Sequence, residues 1–498
     1  MNIAQLFRDA RPLYEGRPVL FADGREIGHD ELSDGIWRLT GALRAHGVGR
    51  GDRVVLAMNN CSEWLICFFA VLGTGAICVP VNPGLRPPEM CNIAAHCKPK
   101  LAILDAELAG HFAESTISFD RIERGSGSET DLHAIIRKAA PDQTITDTQD
   151  HDPALIFYTS GTTGLPKGVL LSHGAELYTA NMVADHLGTG PSDCSLVMGS
   201  LAFIYPLIIN ALAAIEGGAS VVLQDRFHPK LAAEAVRERR VTIMMGVPTM
   251  YVMLMNYADQ HACDFSSVRL AFCGGATLGE ALCKRAAAIL GLTLFDLWGM
   301  TECTPVTTFD PKRDKKGQPD SCGRALPGTA FKIVDDDLKE VPLGTVGEIM
   351  LTGPLIMSGY YLNPTATAET LIDGWIRSGD LGTTDKDGFL YIVGRKKDLI
   401  IRGGANVYPV DIEEALYTHA GVAECAVIGK PDPLFGETVK AYVVKKTGDI
   451  TAEQLVDHCK RLLADYKVPN EIEFIDELPK GPTGKILRRE LREMSSAT

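Results

Sequence analysis

The sequence predicts an α/β fold in two parts: a large N-terminal domain of layered, mostly parallel sheets flanked by helices, and a small α+β domain at the C-terminal end. Three observations predict it. Short apolar runs rich in Val and Ile alternate with helix-like stretches as far as Gly394, the pattern of βαβ units whose sheets are covered on both faces. Beyond Gly394 the order becomes mixed, with strands and helices no longer in simple alternation. Finally, 498 residues are too many for one hydrophobic core.

The predicted strands of the large part are Arg53 to Met58, Ala76 to Val81, Leu101 to Ala106, Ala154 to Thr159, Ser220 to Asp225, Thr242 to Val247 and Leu270 to Gly275. Trp64 to Val81 is uncharged and about long enough to span a bilayer. Gly73, Thr74 and Gly75 interrupt it and Pro80 ends it, so a buried helix followed by a buried strand is expected. The polar stretches Glu114 to Pro153, with GSGSETD, and Pro311 to Asp320 read as surface connections. In the small part, Val410 to His419 and Ala452 to Leu463 read as helices. Ala423 to Lys430, Lys440 to Lys446 and Glu471 to Asp476 read as strands.

With 46% hydrophobic and 22% charged residues, the chain has the composition of an ordinary globular protein. Its net charge of −14 disfavours nonspecific binding to nucleic acid or anionic membrane, so any polyanion needs a local positive site. The opening MNIAQLFRDARPLYEGR lacks the cationic and apolar regions of a secretory signal, which predicts a cytoplasmic protein without stable membrane insertion. Thirteen cysteines without a CxxC pair read as reduced thiols, not a disulfide framework or zinc site.

The sharpest local feature is Tyr158-Thr-Ser-Gly-Thr-Thr-Gly-Leu-Pro-Lys167-Gly168, directly after a predicted strand. Its glycines permit turns with exposed N–H groups, its hydroxyls add donors and Lys167 adds positive charge, a combination suited to a polyphosphate. It is not a Walker A loop, because Leu165 and Pro166 separate Gly164 from Lys167 and Gly168 follows the lysine. Gly47 to Gly51 precedes a strand instead of following one, so the dinucleotide fingerprint fails there as well.

This loop resembles the signature of the adenylate-forming (AMP-binding) superfamily, and four further segments agree in order and spacing. They are Trp298-Gly-Met-Thr-Glu302, Trp375-Ile-Arg-Ser-Gly-Asp380, Gly394-Arg-Lys-Lys-Asp398 with Gly403-Gly404, and Pro482-Thr-Gly-Lys485. The resemblance covers essentially the whole chain and points to the acyl-CoA synthetase branch. It implies domains at 1–394 and 398–498 with a hinge at 395–397, centred on Lys397, about which the small domain moves between two half-reactions.

It also implies roles. Thr159, Ser160, Gly161, Thr162, Thr163, Gly164 and Lys167 would bind the β- and γ-phosphates. Gly274, Gly275, Ala276, Asp296, Leu297, Trp298, Gly299, Met300 and Ile392 would surround the rest of the nucleotide. Trp298 would flank adenine where most relatives have Tyr, and Thr301 would donate to the α-phosphate. Glu302, with Thr162, would hold Mg²⁺ as a hard oxygen ligand. Asp380 would accept both ribose hydroxyls and Arg395 would hold ribose or phosphate oxygens. Lys485 is the expected catalytic lysine, bridging the substrate carboxylate and the α-phosphate so that two anions can react; the other reading makes it a flexible tail residue. Gly403 and Gly404 would line the coenzyme A path, where a Cβ could block close approach.

Phe203, Tyr205, Gly246, Gly299 and Cys303 are the expected acyl-pocket residues. No Asp lies between Leu201 and Pro206, which argues against an α-amino acid substrate. Phe203-Ile-Tyr205 resembles a form seen in benzoate-type ligases. Residues 246–254 resemble malonyl-CoA synthetases, yet Met253 stands where some of those carry Arg. An uncharged aromatic, alicyclic or short-to-medium aliphatic monocarboxylate is therefore expected, with ATP, Mg²⁺ and coenzyme A. The alternative function is a stand-alone adenylating enzyme that loads a carrier protein or another acceptor. A homodimer is compatible with the chain.

Overall fold

The computed structural model describes residues 1–159, 167–276, 278–311, 313–314, 320–446, 450–481 and 486–496. Four sheets organise them. The largest has nine strands and runs from the edge pair Arg25–Gly28 and Pro18–Ala22 through Ser220–Leu223, Cys194–Val197, Ile243–Gly246, Leu270–Gly274 and Leu294–Met300 to Cys303–Thr308 and Arg324–Ala325. The middle of this sheet is parallel, and its ends are closed by antiparallel pairs. A seven-stranded sheet places Arg53–Ala57, Ile77–Pro80, Leu101–Asp105 and Asp120–Arg124 in parallel, with Pro153–Thr159, Lys167–Ser172 and Gly359–Tyr360 towards the other edge.

Every strand expected in the large part is present. Ser62–Gly73 is a helix that is apolar all round, with Trp64, Phe68 and Phe69 at 0% exposure, followed by the buried strand Ile77–Pro80. No helix among the described residues is long and apolar enough to cross a membrane. All thirteen cysteines are free.

Two findings differ from the sequence reading. The polar stretch expected to be a connection contains the edge strand Asp120–Arg124 and the helix Leu132–Lys138, capped by the Asp131 carboxylate accepting from the Ala134 amide. Both are short and half-polar because each is covered on one side only. The third sheet was not expected either: five antiparallel strands centred on Trp375–Thr384, with Gly347–Thr352, Leu371–Ile372 and Leu390–Arg395 paired directly to it and Ala330–Val334 outside Gly347–Thr352.

The small C-terminal domain has its own core, built from Ile400, Val407, Ile412, Leu416, Val427, Val439 and Leu455. Its sheet joins the hairpin Ile400–Arg402 and Ala405–Val407 to Gly436–Lys445, Val422–Asp432 and Glu471–Phe474. The helices Pro409–Tyr417 and Ala452–Leu462 cover it. The chain end is not a loose tail: helix Arg488–Ser496 buries Leu491 completely beside Ala426, Ile428 and Tyr442, and Arg488 and Arg492 pair with Glu413 and Asp398.

Candidate active site

The hairpin between Leu294–Met300 and Cys303–Thr308 turns at Thr301 and Glu302, with Met300 opposite Cys303. The register slips between Trp298 and Met300, and the residue at the slip is Gly299, where a Cβ would stand 3.0 Å from the Pro305 Cα. This bulge lets the turn carry Glu302 into the protein, where it is 7% exposed. There Tyr360 donates its hydroxyl to Glu302 Oε1 at 2.7 Å, and the Met357 amide donates to the Glu302 carbonyl at 2.8 Å. Among the described residues nothing bonds Oε2, which leaves a hard oxygen for a cation.

Tyr360 also connects Glu302 to the base of the glycine-rich loop. Its short strand pairs with Lys167–Ser172, and the Lys167 ammonium lies 4.8 Å from the Tyr360 ring centroid. Thr159 and Lys167 face each other across the antiparallel pair that flanks the loop. Ser160, Gly161, Thr162, Thr163 and Gly164 lie outside the described residues, as does Lys485. Tyr360 is the residue that sequence reasoning missed: a tyrosine in SGYY carries no spacing signal, and only strand pairing brings it here.

A second corner forms where the nine-stranded and antiparallel sheets meet. The Trp298 indole Nε1–H donates to Asp380 Oδ2 at 3.0 Å, deep inside the protein. Arg395 sits opposite Asp380 in the strand register, with Nε 2.9 Å from Oδ1. That contact is an ion pair but not a directed hydrogen bond, so among the described residues Oδ1 is a buried oxygen without a donor. Three strands from two sheets thus aim Trp298, Asp380 and Arg395 at one place, and Ile392 lies on the same strand as Arg395.

The expected acyl residues come from the adjoining strand ends. Tyr205 opens an unusually wide helix, Tyr205–Leu212, and its ring lies 3.4 Å from where a Gly274 Cβ would be. Its buried hydroxyl has no partner among the described residues, and burial holds its pKa well above the ordinary range. Burial likewise pushes the Asp296 carboxyl up to about 7, against the pull of the Leu297 and Leu278 amides. Gly246 packs so closely that a Cβ would stand 2.4 Å from Met198 Cε. Cys303 is fully buried, and Phe203 is half-buried. Gly275 and Ala276 are exposed at the end of their strand. Met253, by contrast, is 46% exposed on helix Pro248–Ala258, so its identity bears little on what the acyl pocket accepts.

Gly403 and Gly404 occupy the turn of the small domain's hairpin, with φ of +57° and +84°. Nothing lies within 4 Å of a Cβ at Gly404. Backbone conformation, and not crowding within the domain, therefore demands glycine there. Lys397 is exposed in the short turn Lys396–Asp398 between the two domains' sheets.

The family description "AMP-binding enzyme" matches residues 7–361, and "AMP-binding enzyme C-terminal domain" matches residues 411–485. The chain belongs to the AMP-binding enzyme family. It is 34% identical to a long-chain-fatty-acid–CoA ligase of Yersinia pestis, over 99% of this chain and 94% of that protein. It is 36% identical to a feruloyl-CoA synthase of an Amycolatopsis species, over 94% of each. Among solved structures, an anthranilate CoA ligase in complex with anthranoyl-AMP superposes with a TM-score of 0.93 at 28% identity, covering 100% of this chain and 98% of the other. This AMP-binding enzyme thus shares its whole length with relatives of that kind.

Proposed function

We propose that this enzyme activates an uncharged monocarboxylate, aromatic, alicyclic or short-to-medium aliphatic, through the residues gathered at the cleft. The reaction is that of an AMP-forming acid–CoA ligase: a carboxylate attacks the α-phosphorus of ATP, releasing pyrophosphate and an acyl-adenylate, and the thiol of coenzyme A then displaces AMP. The observation that carries the reading is the convergence of Lys167, Tyr360 and Glu302 at one corner with Trp298, Asp380 and Arg395 at another.

These residues fit the nucleotide and its metal. Asp380 offers ribose a buried oxygen without a donor, and Arg395 adds a planar cation beside it. Glu302, fixed through one oxygen by Tyr360, keeps the other for Mg²⁺, which would screen phosphate charge when bound. Trp298 supplies a flat apolar face for adenine, and Thr301 a hydroxyl for the α-phosphate. Lys485 stabilises the charge that builds as carboxylate and phosphate approach.

The chain folds as domains 1–394 and 398–498, and rotation about 395–397 lets the thiol reach the carbonyl carbon that Lys485 first occupies. Gly403 and Gly404 line that path, and Lys397 is the hinge. The acid contacts Phe203, Tyr205, Gly246, Gly299 and Cys303, none of which carries a positive charge to pair with a second carboxylate. ATP and coenzyme A as substrates, and thirteen free thiols, support a cytoplasmic location.

The test measures pyrophosphate release across benzoates, cyclohexane carboxylates, straight-chain acids and dicarboxylates, with and without coenzyme A. A dicarboxylate or amino acid as the best substrate overturns the substrate class. AMP release coupled to carrier protein, and not to coenzyme A, would favour the stand-alone adenylating alternative. Lys485→Ala should abolish carboxylate-dependent pyrophosphate exchange, whereas Lys397→Pro should impair thioester formation more than adenylation. Equal loss in both half-reactions removes the hinge role.

A further inference from the structure

The carboxylate of an aspartate rotates easily about its last torsion, which has a broad, roughly twofold profile. To accept two ribose hydroxyls it must be held in one plane, so something has to fix it. Among the described residues, one hydrogen bond and one ion pair reach the Asp380 carboxylate. Arg395 is 49% exposed and its ion pair is not a directed hydrogen bond, so water competes with it. The Trp298 indole is 9% exposed, and its N–H points at Oδ2 from 3.0 Å. It comes from a different sheet, 82 residues away in sequence, so its position is set independently of the Asp380 strand. The Asp380 amide is tied in turn to Ser378 Oγ at 3.0 Å, which fixes the backbone but not the carboxylate plane.

We infer that Trp298 is a positioning residue for the ribose: its indole N–H locks the Asp380 carboxylate plane through one lone pair of Oδ2, and so presents Oδ1 and the remaining lone pair of Oδ2 to the two sugar hydroxyls. This gives the tryptophan a task apart from its flat face. A phenylalanine at the same place keeps a ring for adenine but has no donor, and the carboxylate loses its stiffest tie. The inference rests on Asp380 being the ribose-binding acid.

The test is equilibrium binding of ATP, 2′-deoxy-ATP and 3′-deoxy-ATP by calorimetry, without acid so that nothing turns over. The proteins are the natural one, Trp298→Phe, Trp298→Tyr, Asp380→Ala, and Trp298→Phe combined with Asp380→Ala. The natural enzyme should prefer ATP over each deoxy analogue by about tenfold, the value of one hydrogen bond to a charged group. Trp298→Phe should shrink that preference to about twofold, and should add almost nothing in the Asp380→Ala background.

If Trp298→Phe weakens all three nucleotides equally, or its effect adds fully to that of Asp380→Ala, the tryptophan acts only through its ring and the inference fails. If Asp380→Ala keeps the natural preference for ATP, the ribose assignment itself is wrong. Each preference is a ratio measured within one protein, so a partly unfolded preparation changes neither outcome. Should the phenylalanine variant not fold, the ratio in Trp298→Tyr decides.

Discussion

The walls proposed for the nucleotide and for the acid are built on opposite plans. On the nucleotide wall, buried acids are tied down: Glu302 by Tyr360, and Asp380 by Trp298 and Arg395. On the acyl wall, the Tyr205 hydroxyl is buried with no partner among the described residues, and the Gly246 backbone packs tightly against the Met198 side chain. The difference teaches where selectivity resides. On the proposed assignments, directed bonds to charged groups would fix the nucleotide whatever the acid is, whereas shape and desolvation would choose the acid.

The strongest way to break this contrast is Asp380→Ala. It should weaken ATP binding about 100-fold, roughly 3 kcal/mol, because two charged hydrogen bonds disappear together, as read by calorimetry. Loss of less than tenfold would mean that the nucleotide wall is not organised around that acid. Next in size, Tyr360→Phe should raise the Mg²⁺ concentration needed for half-maximal adenylation about tenfold while leaving the KM for the acid unchanged. A shift in the acid KM instead would move Tyr360 to the other wall.

The remaining effects are smaller, and the first concerns Asp296, an acid expected beside the nucleotide. The Asp296 carboxyl is raised from 3.8 to about 7, so the folded protein binds its proton more tightly than the unfolded chain does. Stability therefore falls as pH rises from about 4 to about 7, and is flat above that. Asp296→Asn should remove that slope, which we put at about 1–2 kcal/mol after allowing for partial solvent access. Urea midpoints at pH 5 and pH 7.5 measure it, and an unchanged slope would show that another group carries it. Smallest of all, Gly246→Ala forces the flexible end of Met198 aside. The kcat/KM for benzoate relative to a short straight-chain acid should change severalfold, about 1 kcal/mol. ATP binding should not change, and if it does the two walls are coupled.

Much of this was legible in the sequence through resemblance. Lys167, Glu302, Asp380 and Arg395 stand in segments that resemble, in order and spacing, those of the adenylate-forming superfamily, and the seven Val- and Ile-rich runs became strands because a parallel sheet covered on both faces needs apolar residues throughout. The chain end was less legible. Arg488 and Arg492 could equally have belonged to a tail, and their pairing with Glu413 and Asp398 depends on where a helix docks.

The sequence by itself determined which donors, acids and cations the chain carries, because side-chain identities are fixed by covalent structure, and their resemblance to the adenylate-forming superfamily is what implied ATP. The tertiary fold decided which of those groups meet. Tyr360 reaches Glu302, and Trp298 reaches Asp380, only because sheets distant along the chain are packed against one another, and no local pattern records a contact between strands that far apart.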